Sequence, residues 1–331
     1  MISTERLAAQ PGTDPTTAVS RAAELLRAGH LVAFPTETVY GLGGLATSPA
    51  AVASIFAAKK RPAFNPLISH YASIETLAQD VILSPLAAQM LEALSPGALT
   101  LVLPVSEQTR ICELARSGLR TAAVRVPDHG LARDLLRQVN APVAAPSANL
   151  SGRLTPTTAD AVIEQLGGSI DAVLNGGPCS VGVESTIVAV SGDEIHLLRP
   201  GGVPAEQIET LTGRALQRPA LDATARPIAP GQLASHYAPN AAVILNAETA
   251  TADAAVLDFA GTMATMKDKV RAYLDLSEAG DTREAAANLY AYLRELDRAA
   301  PAAISVAPVP SQELGEAIND RLRRAAAPRP R

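Results

Sequence analysis

Apolar residues recur with two periods along this chain, and the places where the period changes outline its elements. Residues 17–28 carry apolar side chains at helical spacing, and Gly29 supplies a helix C-terminal signal. Residues 31–34 then read as a short buried strand. At Ser48-Pro49 an N-cap residue precedes a proline at the first helical position, which predicts a helix through Ala58. Ser84-Pro85 repeats that device before a helix ending near Leu94. Short strands are predicted at 67–71, 99–104, 121–126, 143–145 and 171–174. Strands 187–190 and 195–198 flank Ser191-Gly192-Asp193, which reads as a hairpin turn. Such alternation over residues 16–210 predicts an α/β domain, preceded by an N-terminal tail at 1–15.

Between residues 211 and 239 the pattern breaks. This stretch holds four prolines and little periodicity, and a segment of that kind links domains or covers a site. Beyond it, strands are predicted at 242–245, 254–259 and 302–306, with amphipathic helices at 283–298 and 312–325. Residues 240–331 therefore form a second, smaller α/β domain.

Composition narrows the picture. The 331 residues amount to about two domains, and 47% hydrophobic content supports a sizeable core. Aromatic residues make up 3% and tryptophan is absent, so aliphatic side chains do the packing. A formal net charge of -5 argues against a nucleic-acid coat. Cys112 and Cys179 are too few and too far apart for a disulfide scaffold or a cysteine zinc site. The polar N-terminus has no apolar signal core and no apolar run reaches a membrane span. These features predict a cytoplasmic protein with reduced thiols.

Gly41-Leu42-Gly43-Gly44-Leu45-Ala46 fits the loose dinucleotide pattern G-x-G-x-x-A. It lacks the context, because residues 35–40 separate it from the strand. Lys59, Lys60 and Arg61 also stand where a ribose-binding acid belongs. No P-loop, H-E-x-x-H or G-x-S-x-G pattern occurs. More informative are polar insertions beside strands: Pro35-Thr36-Glu37-Thr38-Val39-Tyr40-Gly41, Lys59-Lys60-Arg61-Pro62, Pro146-Ser147-Ala148-Asn149, Gly182-Val183-Glu184-Ser185-Thr186 and Arg199-Pro200-Gly201.

Taken in order and spacing, these insertions resemble the YrdC-like L-threonylcarbamoyladenylate synthases in their long form with an extra C-terminal domain. The most diagnostic parts are residues 35–43 and the pairs Lys59/Arg61 and Ser147/Asn149; the likeness covers nearly the whole chain. It implies a twisted open mixed sheet with flanking helices over 16–210, a linker or lid over 211–239, and a Rossmann-like α/β domain after it. It also implies that threonine, bicarbonate and ATP are converted to threonylcarbamoyl-adenylate and pyrophosphate. Lys59 and Arg61 would clamp the triphosphate as the catalytic cations. Asn65, Thr121, Ser147, Asn149, Thr155, Arg199 and Tyr237 would contact ATP. Thr38, His70, Arg125, Ala145 and Ser185 would hold threonine, with Arg125 on its carboxylate. Mg2+ would come with the phosphates and take no protein ligand.

As for partners, the resemblance implies delivery of the product to a separate transferase that modifies adenosine beside the anticodon of tRNA. It leaves a homodimer open and predicts no stable nucleic-acid or membrane binding. In the linker, Ser235-His236-Tyr237 would cross the mouth of the first domain, with Tyr237 closing over the adenylate. Two other functions remain open at this stage. One is an RNA-binding module on the same fold. The other is a different carbamoyl or adenylyl transferase such as the carbamoylation domain of hydrogenase maturation proteins, whose zinc-finger cysteine spacing is not found here.

Overall fold

A computed structural model describes residues 3–8, 15–62, 64–218 and 237–328. The segment read as an N-terminal tail contains strand β1 (Glu5–Ala8), paired in parallel at the edge of the main sheet. Only Leu7 of that strand is buried, so it carries almost no hydrophobic pattern. Helix α1 (Pro15–Arg27) buries Ala18, Val19, Ala22, Ala23, Leu25 and Leu26 on one face. It ends at Gly29, whose φ of 87° no branched residue adopts comfortably. The chain then forms β2 (Val32–Phe34) and returns antiparallel as β3 (Gly41–Leu45).

Strand β3 is not among the strands expected from the sequence, whose glycines there fit only a loose dinucleotide pattern. They are there for contact. A Cβ on Gly43 would lie 2.8 Å from Cε1 of Phe34 and 3.0 Å from the Val32 carbonyl oxygen, and one on Gly41 would lie 3.1 Å from Cβ of Ala145. Close approach between strands thus accounts for a composition that normally disfavours a strand.

Helix α2 (Pro49–Lys59) starts as expected: Ser48 accepts a hydrogen bond from the Ala51 amide, and Lys60, left-handed at φ 50°, closes the other end. It leads to β4 (Ile68–His70), a short α3 (Ile74–Leu77) and α4 (Pro85–Leu94), capped by Ser84. Strands β5 (Leu99–Pro104) and β6 (Thr121–Arg125) are antiparallel neighbours. Helix α5 (Gly130–Val139), strand β7 (Val143–Ala144), helix α6 (Ala159–Leu166) and strand β8 (Ala172–Asn175) follow. The predicted hairpin is β9 (Thr186–Ser191) with β10 (Glu194–Arg199). Helix α7 (Ala205–Thr212) and β11 (Leu216–Gln217) extend the first sheet past residue 210, the boundary expected from the sequence.

The eleven strands are ordered β1-β8-β2-β3-β7-β4-β6-β5-β9-β10-β11, with parallel and antiparallel pairs mixed. Side chains alternate across this sheet. Val32 and Phe34 pack with α1 and α5 on one face, while Ala33 joins the core under α2, α4 and α6 on the other.

The second unit contains β12 (Ala242–Ile244), β13 (Ala255–Asp258), β14 (Ala272–Asp275), α8 (Thr282–Arg298), β15 (Ala303–Val306) and α9 (Gly315–Ala326). Its sheet runs β12-β15-β13-β14 and is parallel throughout. The core of this unit does not stop at its own boundary. Val39, Leu154 and Val183 of the first unit belong to the same buried cluster as Leu289 and Tyr290 of α8.

The packing at β3 is directly testable. Gly43→Ala should lower stability by about 1–3 kcal/mol through overpacking against Phe34, read as a lower urea midpoint with unchanged slope. An unchanged midpoint contradicts this account of the glycine-rich strand.

Candidate active site

Strands β4 and β6 are parallel, and their register sets His70 level with Arg125 at the carboxyl ends of both. That edge is where α/β sheets present ligand-binding groups. Strand β7 lies antiparallel on the other side of β4, and the Ala145 amide donates to the Ile68 carbonyl at 2.9 Å. Around these strand ends the chain leaves a cleft whose empty space, open solvent at the mouth included, is about 530 Å3.

One wall is an ordered set of donors and acceptors. Thr36 Oγ1 donates to the Val39 carbonyl at 2.7 Å and lies 2.8 Å from Thr38 Oγ1. Its single proton is thereby used, so Thr38 is the donor of that second bond. Arg125 is fixed from three directions. Its Nε donates to the Gly97 carbonyl at 3.1 Å, Nη1 to Thr38 Oγ1 at 2.9 Å and Nη2 to Glu37 Oε1 at 2.5 Å. His70 stands beside it, with Nδ1 3.2 Å from the Ile68 carbonyl oxygen. That oxygen only accepts, so the bond requires the proton on Nδ1. Burial, aided by the Arg125 charge, lowers the His70 pKa to about 3, which keeps the ring neutral.

The facing wall brings together Arg61, Ser147, Glu184, Ser185, Arg199 and Tyr237. Arg199 Nη2 donates to the Ser185 carbonyl at 2.8 Å and to its hydroxyl at 3.2 Å, and that hydroxyl is 2.7 Å from Thr100 Oγ1. Arg61 reaches the carbonyls of Asn65 and Pro66 at 3.4 and 3.2 Å. Burial lowers the pKa of Arg61 to about 10, so it stays charged at neutral pH. Among the described residues, three arginines against one carboxylate make the lining positive in a chain of net charge -5. The cleft therefore suits an anion.

Of the residues expected from the sequence, Thr38, Arg61, His70, Arg125, Ala145, Ser147, Ser185, Arg199 and Tyr237 line this cleft. The others stand behind or beside it. Lys59 is buried, its Nζ donating to the carbonyls of Ser147 and Asn149 at 2.5 Å each. Burial, reinforced by Arg61, lowers the Lys59 pKa well below that of an ordinary lysine. Asn149 donates to the carbonyls of Leu150 and Arg153, and Thr155 Oγ1 donates to Glu184 Oε1 at 2.7 Å. Thr121 opens β6, four residues from Arg125. That is the amino end of β6, whereas His70 and Arg125 stand level at the carboxyl ends of their strands. Ser235 and His236 of the expected lid lie outside the described residues.

Three contributors were not assigned from the sequence. Glu37 orients Arg125, although it sits inside the recognised 35–43 motif. Glu184 was seen only as part of a polar insertion, yet it is buried and lines the cleft. Its strongest partner is Arg321 on α9, with Nε 2.8 Å from Glu184 Oε2. Nothing local marks an arginine on an amphipathic helix as buried.

Fold and cleft together define an α/β enzyme domain for an anionic small molecule, with a second domain against it. Residues 24–201 match the Sua5–YciO–YrdC family model, described as "Telomere recombination". Residues 203–327 match the model described as "Threonylcarbamoyl-AMP synthase, C-terminal domain". The chain belongs to the Sua5–YciO–YrdC family, in the form that carries this second domain. A threonylcarbamoyl-AMP synthase of Pyrococcus abyssi is 41% identical over 92% of this chain and 93% of its own length. One from Bacillus subtilis is 45% identical over 67% of this chain and 65% of its own. The crystal structure of P. abyssi Sua5 complexed with L-threonine superposes with a TM-score of 0.83 at 36% identity, covering 98% of this chain and 97% of that one.

The His70 environment has a pH signature. Its folded pKa, about 3, lies below the ordinary 6.5, so the unfolded chain binds the extra proton first. The corresponding stability is complete above pH 6.5 and is lost as pH falls towards 3. His70→Asn should flatten the slope of stability against pH in that window. An unchanged slope, or an NMR titration of the His70 ring near its ordinary pKa, contradicts the assignment.

Proposed function

We infer that this chain makes threonylcarbamoyl-adenylate and pyrophosphate from L-threonine, bicarbonate-derived CO2 and ATP. The observation that carries the reading is the two-walled positive cleft. Arg125, Thr38 and neutral His70 form one wall; Arg61 and Arg199 form the other. The relatives' name and the threonine in the P. abyssi structure support it.

The first wall suits an amino acid. Arg125 still has unused donors for a carboxylate, and Thr38 and Ser185 offer hydroxyls to the polar side chain. A site that hydrogen-bonds a hydroxyl discriminates strongly against analogues lacking it. In the reaction, the threonine nitrogen bonds to the carbon of CO2 and loses a proton, giving a carbamate. A carbamate oxygen then attacks the α-phosphorus of ATP. The bond to the bridging oxygen breaks, and pyrophosphate leaves with the electron pair. No enzyme nucleophile is required; positioning and charge stabilisation supply the catalysis. Arg61 and Arg199 would face the phosphates, and the ATP contacts expected of Asn65 and Thr121 belong to the same proposal. Lys59 would add its side chain beneath the Ser147–Asn149 backbone, and Tyr237 would shield the mixed anhydride from water.

ATP is expected as its Mg2+ complex. Among the described residues no three His, Cys, Asp or Glu side chains group to hold a metal. Both Glu184 oxygens already accept hydrogen bonds from protein groups. These residues do not fit a protein-ligated ion, and no step here runs through one. The product would pass to a separate tRNA-modifying transferase in the cytoplasm. Among the described residues no helix is long and apolar enough to cross a membrane.

The deciding assay mixes the full chain with ATP, Mg2+, bicarbonate and single amino acids, reading pyrophosphate and the adenylate by mass spectrometry. Threonine-dependent release of both is expected; its absence refutes the reading. Arg61→Ala should raise the barrier by about 2–4 kcal/mol, and an unchanged rate removes Arg61 from the site.

A further inference from the structure

The second domain touches the cleft through one buried carboxylate. Glu184 is only 5% exposed, yet both its oxygens are bonded. Oε1 accepts from Thr155 at 2.7 Å, Oε2 accepts from Arg321 Nε at 2.8 Å, and the Tyr290 hydroxyl donates between them at 3.2 and 3.0 Å. Two of these three partners belong to the second domain, Tyr290 on α8 and Arg321 on α9. Arg321 has no exposed side-chain surface and also donates to the Pro200 carbonyl at 3.0 Å, beside Arg199. Its guanidinium carbon sits 5.2 Å from the centre of the Tyr237 ring, which packs 5.7 Å from Tyr290. The domains meet too closely to slide: a Cβ on Gly182 would fall 2.2 Å from the Ala286 carbonyl oxygen.

We propose that Arg321 is a positioning residue for the nucleotide side of the cleft, holding Glu184, Tyr237 and the Arg199–Pro200 turn together so that no uncompensated carboxylate faces the triphosphate. This rests on the functional reading above and deepens it, giving the second domain a part in ATP binding. Removing one partner of a buried charge pair leaves the other unpaired at large cost, whereas removing both is far milder. Beside a triphosphate that unpaired charge is also repulsive. Glu184 is surrounded by Arg321 and Asp320 from α9, Tyr290 from α8, Arg199 from β10, Tyr237, and Lys59 from α2. Burial on its own raises the Glu184 pKa, but Arg321 first and Arg199 next outweigh it and bring it down to about 2. Without Arg321 the largest charge opposing the effect of burial is gone, so the Glu184 carboxyl is held down less firmly.

The test measures the dissociation constants of MgATP and of L-threonine separately, by calorimetry on the full chain without turnover. Arg321→Met should weaken MgATP about 10- to 100-fold while changing threonine less than about threefold. The double variant Glu184→Gln/Arg321→Met should regain at least half of the logarithmic loss. Should the single variant fail to fold, the double variant decides: MgATP within about tenfold of wild type supports the proposal, and a larger loss overturns it. Unchanged MgATP binding in Arg321→Met overturns it, as does equal weakening of both ligands with no recovery in the double variant. Wild-type protein that binds neither ligand sinks the functional reading instead.

Discussion

A carboxylate buried at the seam between two domains is the constraint on which the rest of this molecule depends. Taking Glu184 out of water is costly unless its oxygens are bonded and its charge is met. Arg321, Tyr290 and Thr155 do this, and they come from two helices of the second domain and one loop of the first. Satisfying the ion therefore fixes how the domains sit. The apolar surface around it follows the same seam, because Val39, Leu154 and Val183 pack into the core of the second unit. Tyr237, near the end of the linker, is held between Arg321 and Tyr290 and forms part of the cleft. The second domain thus takes part in completing the cleft.

The opposite wall repeats the logic on a smaller scale. Arg125 is held by a carboxylate, a hydroxyl and a carbonyl, so its remaining donors point in a set direction without reorganisation. His70 stays neutral because burial and Arg125 both oppose its protonation. The outcome is a concentrated positive charge that net charge alone conceals. Under the proposed function it would serve an amino acid on one side and phosphates on the other, the arrangement a carbamate needs to reach the α-phosphorus.

Much of this was legible in the sequence, for identifiable reasons. Ser48-Pro49 and Ser84-Pro85 are local signals whose capping bonds depend on neighbouring residues alone, and both start helices where expected. The 35–43 segment and the cations after α2 were recognised through family resemblance, and Thr38 and Arg61 do line the cleft. Other features are not local. Strand β3 carries no strand signature because its glycines answer to Phe34 and Ala145, which lie elsewhere in the sequence. Strand β1 buries a single leucine, so it left no pattern to find. Lys59, expected at the phosphates, bonds the backbone of a loop about ninety residues away, a partner its local sequence does not reveal. Arg321 is the sharpest case. On helix α9 it reads as one more solvated cation, and only the other domain's carboxylate reveals its place.

The most direct test of the central claim is a crystal structure of the full chain with L-threonine and a non-hydrolysable ATP analogue. The account predicts the threonine carboxylate on Arg125 and its amino group directed across the cleft. It places the α-phosphate between that group and Arg61 with Arg199, and Arg321 still bonded to Glu184. Threonine bound away from Arg125, or phosphates bound outside the wall formed by Arg61 and Arg199, would contradict it.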